Sequence, residues 1–248
     1  MEDKKHHKND MYGNIDSRNE SDEGVLPSIP AATVVLLRRS DAGYEVLMLK
    51  KNSKITFGGM WVFPGGKIDS EDYVSDDDLE VAARNAAVRE TREETSISLD
   101  AIDFIHFAHW TPPPGPQKRF ATWFFIAESA KAESVKIDEG EIKDHQWIRP
   151  TDALSKHAVG DIDLVPPTWI TLKHLAMYES VDEVLHHFSS SDPKVYNTRV
   201  VKAPNGDRVA IWKVDAGYED WDAEVQGDRH RLIMADGDFI FENNVETY

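Results

Sequence analysis

The chain has 248 residues, 40% of them hydrophobic, enough to bury a full core, and carries 28 basic against 45 acidic side chains for a net charge of −17. That balance excludes indiscriminate binding to nucleic acid polymers or anionic membranes, so an anionic ligand asks for a bridging cation. With no cysteine, disulfides and thiol catalysis are excluded as well.

Residues 1–24 are polar and charged with almost nothing to bury, and are expected to be disordered. No apolar stretch follows the charged start, and no run approaches the ~20 residues of a membrane span; the expectation is a cytoplasmic protein. Residues 31–37 and 44–49 are β-rich runs around Arg38-Arg39-Ser40-Asp41-Ala42-Gly43, a hairpin that begins a sheet. Lys50-Lys51-Asn52-Ser53-Lys54 then places positive charge ahead of a strand at 60–63, and Lys51 is a candidate phosphate contact. That strand exits through Pro64-Gly65-Gly66-Lys67, where backbone without a Cβ can approach a ligand closely; Lys67 is a second candidate contact.

Arg89-Glu90-Thr91-Arg92-Glu93-Glu94-Thr95 reads as a helix. At about 100° per residue, Glu90, Glu93 and Glu94 fall within roughly a 100° arc of one face. The Glu90/Glu94 pair alone costs about 0.2–0.5 kcal/mol at its i,i+4 spacing, so a neutralising cation is expected. Oxygen-only ligands with no Cys or His nearby point to Mg²⁺ or Mn²⁺ rather than Zn²⁺. Replacing Glu93 or Glu94 by Gln should then relieve repulsion and leave the metal-free melt unchanged or slightly raised.

A Gly-Gly strand exit followed by Arg-Glu-x-x-Glu-Glu on a helix resembles the Nudix box, G-x5-E-x7-R-E-U-x-E-E-x-G-U with U apolar. The spacing from Gly66 to Arg89 is longer than the pattern's, the extra residues falling in the acidic, polar text of 70–79, which can bulge from a loop. Asp72 stands in the place of the first Glu, Thr91 at an apolar position, and Ser96 in place of the closing Gly. A left-handed helix end without Gly costs roughly 1–2 kcal/mol, so Ser96 asks for a different local turn. The resemblance implies an α/β fold, a Nudix-type α/β/α sandwich with a mixed sheet over residues 25–180. It also implies metal ligation by the Gly65 carbonyl, Glu90, Glu93 and Glu94. Arg89 would orient a box Glu by an ion pair, Glu93 being reachable at i+4. The expected catalytic set is Arg89, Glu90, Glu93 and Glu141, with Glu90 or Glu141 as general base.

Downstream, residues 102–110 read as a strand, and Thr111-Pro112-Pro113-Pro114-Gly115-Pro116 as a stiff loop fit to shape a pocket mouth. Residues 119–127 are apolar at both alternating positions, as in a strand covered on both faces, and Arg119 at their head is a third candidate substrate contact. This text, with His109-Trp110-Thr111-Pro112, resembles a long-insertion subgroup of acyl-CoA diphosphatases and bacterial relatives; those relatives often carry an acid where this chain has Ala121. Glu141 lies in an acidic loop where Nudix enzymes often bring a further Glu to the metals. Pro166-Pro167-Thr168 opens a helix to about residue 178 with Thr168 as N-cap, and Ser180-Val181-Asp182-Glu183 is a capping box for another to about residue 188. Asn205-Gly206 and Asp236-Gly237 are hairpin turns, so residues 181–248 are expected as a helix and β-hairpin extension packed on the core. Within it Arg229-His230-Arg231 reads as a charged strand edge or a contact to substrate anions.

The resemblance implies Mg²⁺-dependent cleavage of the diphosphate bond of a nucleoside diphosphate derivative, with CoA or acyl-CoA as first expectation. ADP-ribose, NADH and dinucleotides are alternatives, and a non-catalytic Nudix-fold binding module is the rival class. The isopentenyl-diphosphate isomerase branch relies on a Cys that this chain lacks. The expected partner is a small-molecule nucleotide, with neither membrane nor nucleic acid polymer; pairing as a homodimer stays open.

Overall fold

Strand β1 (Ile29–Ser40) is buried without a break from Ala31 to Leu37, and a strand covered on both faces must run inside a layered sheet. In the computed structural model, which describes residues 27–54, 57–74, 78–114, 118–129, 134–235 and 238–245, this strand is the spine. The tail expected to be disordered, 1–24, lies outside the described residues, as do Asp236-Gly237. The chain turns back into β2 (Gly43–Lys51), antiparallel with Leu37 opposite Val46. Strand β3 (Trp61–Val62) pairs with the end of β2, and β4 (Gly65–Lys67) pairs with the start of β1, Ala32 opposite Gly66. Helix α1 (Leu79–Thr95) follows, then β5 (Ile105–Thr111), β6 (Phe120–Glu128) and β7 (Ile142–Ile148). β6 runs parallel to β1 from Ile29↔Phe120 to Leu37↔Glu128, while β5 on β6 and β7 on β2 are antiparallel. The expected mixed sheet is the observed one.

Helices α2 (Pro150–Ala158), α3 (Pro166–Leu175) and α4 (Val181–Ser189) complete the sandwich. Side-chain alternation divides the core: Ala32, Val34, Leu36, Leu47, Leu49 and Phe125 pack with α1, whereas Val35, Leu37, Val46, Met48 and Phe124 pack with α2 to α4. α1 meets the sheet through Ala82, Ala83, Ala86 and Ala87, all fully buried. Helix separation follows side-chain size, so four alanines let α1 sit close and carry its acidic end down onto β4. No helix among the described residues is long and apolar enough to cross a membrane.

Several local expectations need correction. Ser96 does not avoid the left-handed helix end; it adopts it, with φ 62° and ψ 11°. Its N–H donates to the Arg92 carbonyl at 2.9 Å and its Oγ to the Lys136 carbonyl at 3.2 Å, while Lys136 N–H returns a bond to the Thr95 carbonyl at 2.8 Å. The 134–137 segment thus supplies the bonds that hold the strained cap. Ser96→Gly is expected to stabilise the protein by about 1 kcal/mol in urea denaturation, since Gly bears no Cβ penalty there. A loss of stability instead would show that the Oγ bond to Lys136 outweighs the strain. Thr168 is not an N-cap: it is buried inside α3, which starts at Pro166 because proline's fixed φ suits a first helical position. α3 ends at Leu175, short of residue 178. α2 is an unexpected helix begun the same way by Pro150, and β5 starts at Ile105, after a 3₁₀ turn at Ala101–Asp103. Ser180 does cap α4 through Glu183 N–H, but the Glu183 carboxylate accepts from Glu179 N–H rather than closing the box on Ser180.

The C-terminal part holds more than a helix and hairpin. β8 (Lys194–Asn197) joins the main sheet parallel to β5, making it eight-stranded, and Tyr196 stacks on Trp110 with ring centroids 3.7 Å apart. β9 (Arg199–Lys202), β10 (Arg208–Ile211), β11 (His230–Ala235) and β12 (Asp238–Asn243) form a second, antiparallel sheet of four strands. Trp212, Leu232, Met234 and Phe239 enter the same buried cluster as α2 and α3. Arg229-His230-Arg231 is neither a charged edge nor an open anion contact. Arg231 is buried against Asp215, at 2.7 and 2.5 Å, and Arg229 donates to the Val225 carbonyl at 2.7 Å. The triplet fastens the 212–229 loop onto its own sheet.

Candidate metal and diphosphate site

The close approach of α1 brings its acidic end over the glycine exit. The Glu90 carboxylate lies directly above Gly66: a Cβ there would come within 2.4 to 2.7 Å of its oxygens. Gly65, with φ 152°, is equally constrained, because a Cβ would meet the Ala32 carbonyl oxygen at 2.3 Å. Its N–H donates to Glu94 Oε2 at 3.0 Å, and Lys51 Nζ holds Glu94 Oε1 at 2.6 Å. Lys51 also lies 3.8 Å from Glu141 Oε2, at the outer rim.

Arg89 is the hub of the other flank. Its Nε and Nη2 fork onto both oxygens of buried Asp72, at 3.0 and 2.8 Å. Nη1 reaches Glu90 Oε1 at 2.9 Å and Glu93 Oε2 at 3.2 Å, and Nη2 also donates to the Lys67 carbonyl at 3.1 Å. Asp72 is itself fixed by the Asp69 N–H on its carboxylate and by Asn85 Nδ2 on its carbonyl. The hydrogen bonds to Asp72, foremost, hold the Arg89 guanidinium even more firmly protonated than usual. Asp72 and Arg89, 17 positions apart in sequence, are thus joined directly across the intervening acidic segment.

A model of the NUDIX domain matches residues 27–167, more than half of the chain. The chain belongs to the NUDIX family. The acyl-coenzyme A diphosphatase NUDT19 of Xenopus laevis is 24% identical over 245 residues, covering 61% of this chain and 64% of that protein. A Caenorhabditis elegans protein provisionally named nudix hydrolase 7 is 23% identical over 188 residues, covering 61% of this chain and 62% of that one. The chain thus spans less than two thirds of the length of the curated relatives it matches. Among solved structures, a NUDIX hydrolase from Alicyclobacillus acidocaldarius shares the fold, with a TM-score of 0.59 and 21% identity over 67% of this chain and 99% of its own.

Of the NUDIX residues expected from the sequence, Gly65, Glu90, Glu94 and Lys51 meet in one cluster. Glu93 stands at its outer side, joined through Arg89, with 57% of its side chain exposed. Glu141 is on the rim, and its loop is shaped by Asp138, which accepts from Glu141 and Ile142 N–H. Lys67 pairs with Asp69 at 2.5 Å and is otherwise open to solvent. Arg119 is engaged elsewhere: its guanidinium donates to the carbonyls of Pro112 and Pro113 at 2.7 and 3.0 Å and ties down these two prolines. Sequence reasoning missed two partnerships, Lys51 with Glu94 and Arg89 with Asp72. Strand parity carried a signal for the first, since Lys51 continues the series Leu47, Leu49 that faces α1.

Among the described residues, no three acidic or imidazole side chains converge tightly enough to form a finished ion cage. The donor set nevertheless fits a hard divalent cation. Burial pushes the Glu94 carboxyl up to about 7, against the opposing pull of Lys51 and the Gly65 N–H. Burial also raises Glu90, against Arg89. Two largely desolvated carboxylates beside the Gly65-Gly66 backbone, with no Cys or His among them, offer the hard oxygen donors that Mg²⁺ or Mn²⁺ takes.

Proposed function

We propose that this chain is a divalent-metal-dependent NUDIX pyrophosphohydrolase that cleaves the diphosphate bond of a bulky nucleoside diphosphate derivative, of CoA or acyl-CoA type. The observation that carries the reading is the pair of desolvated carboxylates, Glu90 and Glu94, set on the Gly65-Gly66 exit beside an Arg89 locked by Asp72. A rival binding module has no need to retain Glu90, Glu93 and Glu94 together.

Glu90, Glu93, Glu94 and the Gly65 carbonyl would hold Mg²⁺ or Mn²⁺. Such a cation, when bound, neutralises phosphoryl oxygens and lowers the pKa of attacking water. Arg89 fixes the direction of Glu90 and Glu93, so that both carboxylates are placed before substrate arrives. Glu90 is engaged by Arg89, whereas Glu141 is solvent-facing on the rim, which favours Glu141 over Glu90 as the carboxylate that would take a proton from water. Lys67, exposed beside the glycine exit, is available to a phosphate if Asp69 yields it. Arg119 contributes indirectly by stiffening the loop at Pro112 and Pro113.

Support for a bulky substrate is architectural. The box insertion, the proline loop and the second sheet all add chain beyond what a diphosphate alone requires. The name of the Xenopus relative points the same way. A panel of nucleotides with Mg²⁺ or Mn²⁺, read by mass spectrometry, tests the proposal. CoA should give 3′,5′-ADP and a 4′-phosphopantetheine product, whereas ADP-ribose would give AMP and ribose 5-phosphate. Nucleoside triphosphates turned over with kcat/KM clearly above both would overturn the bulky substrate, and no turnover of any compound would favour the binding module.

A further inference from the structure

Lys51 occupies ground that the metal-dependent reading assigns to an ion. Leu47 and Leu49 precede it on the α1 face of β2 and are fully buried there. At the end of the strand the pairing with β7 passes from Lys50↔Asp144 to Lys51↔Ile142, so the extra residue, Lys143, belongs to β7, and β2 keeps the alternation that turns Lys51 toward α1. The Lys51 side chain is only 11% exposed and its partner Glu94 4%. With Nζ on Oε1 and the Gly65 N–H on Oε2, both Glu94 oxygens are already engaged. Glu90 and Glu93 are held in turn by Arg89, so each of the three carboxylates is paired with a cation of the protein itself. A divalent ion drawn to Glu94 would meet an ammonium in van der Waals reach, and like charges that close in a half-buried site repel strongly.

We propose that Lys51 is a resident counter-cation of Glu94, neutralising it in the metal-free protein and releasing it when a divalent ion arrives, so that Lys51 lowers affinity for the ion. The inference rests on reading Glu90, Glu93 and Glu94 as metal ligands. Lys51 is then a positioning residue, acting through Glu94.

The test is Mn²⁺ binding to the full chain, followed by the paramagnetic resonance signal of free ion at about pH 8.5, where carboxylates are ionised. Melting in EDTA and in saturating Mn²⁺ accompanies it. Lys51→Met is expected to bind Mn²⁺ roughly tenfold more tightly than wild type, to melt lower in EDTA, and to gain more on adding Mn²⁺. Lys51→Arg keeps the charge and should bind like wild type. Lys51→Gln, which can still hydrogen-bond Glu94, replaces the Met variant in the comparison if that one does not fold. Equal or weaker binding in the neutral variants overturns the competition, as does an Arg variant that tightens as much as Met. A wild type that binds no Mn²⁺ overturns the metal reading itself, a result distinct from unchanged affinity among the variants.

Discussion

Glu94→Gln is expected to abolish metal-dependent turnover, a loss on the order of a hundredfold or more, and also to lower the melt of the metal-free protein. Glu93→Gln should lose turnover comparably with little effect on the melt. The difference lies in what each carboxylate holds. Glu93 is largely exposed and shares Arg89 with Asp72 and Glu90, so its removal leaves Arg89 well paired. Glu94 is the close partner of Lys51, and removing its charge strands a nearly buried ammonium, at a cost of about 1–3 kcal/mol. Relief of repulsion, the expectation from helix spacing alone, therefore survives for Glu93 and is outweighed for Glu94. Steady-state rates and melting in EDTA decide it. Turnover retained in both variants would sink the ligand assignment, and an unchanged melt in Glu94→Gln would show the Lys51 pair to be idle.

The second large effect is expected far from this site. Arg231→Met should destabilise the protein by about 3–5 kcal/mol at neutral pH, because it leaves Asp215 charged, buried and without its guanidinium. The Asp215 carboxylate has no side-chain exposure and accepts from Arg231 Nε and Nη2, His230 N–H and Gly217 N–H. Burial alone would raise this group, but Arg231 and the two N–H donors more than offset it and hold it below the usual carboxylate value. A depressed folded value means that the stabilisation is fully present above the unfolded pKa, ~3.9, and is lost as pH falls through the folded one. In Arg231→Met the offset is mostly gone, so protonation helps rather than hurts. The stability gap between wild type and variant should then shrink as pH falls below about 4, measured by urea denaturation. A gap independent of pH would mean that the loss is one of packing alone.

The sequence carried the site better than the surroundings of the site. Gly65, Gly66, Glu90 and Glu94 are legible because each acts over a few residues of backbone or one helical turn, and the box supplies their relation. Lys51 and Glu94 lie 43 positions apart on a strand end and a helix, and their meeting depends on the four alanines that set helix height. Arg231 reads as surface because it closes the charged triplet Arg229-His230-Arg231, while its partner is 16 positions upstream in a loop. α2 and the start of α3 were hidden by prolines, which break helices internally yet open them at the first position. β8 has four residues, two of them charged or amide, and no local pattern marks it as part of the main sheet.

The parallel pairing of β8 with β5 sets a schedule for synthesis. β5 ends at Thr111, and its partner begins at Lys194, with α2, α3 and α4 between them. At 5–20 residues per second, roughly 80 residues take several seconds to leave the ribosome. Throughout that wait β5 presents an open outer edge and Trp110 lacks the Tyr196 ring that stacks on it. An unpaired edge of this kind is a template for pairing with another chain. The segment matching the NUDIX domain, complete at residue 167, is therefore finished as sequence before it is finished as a sheet, and the nascent chain depends on its last third to close the edge of its first two.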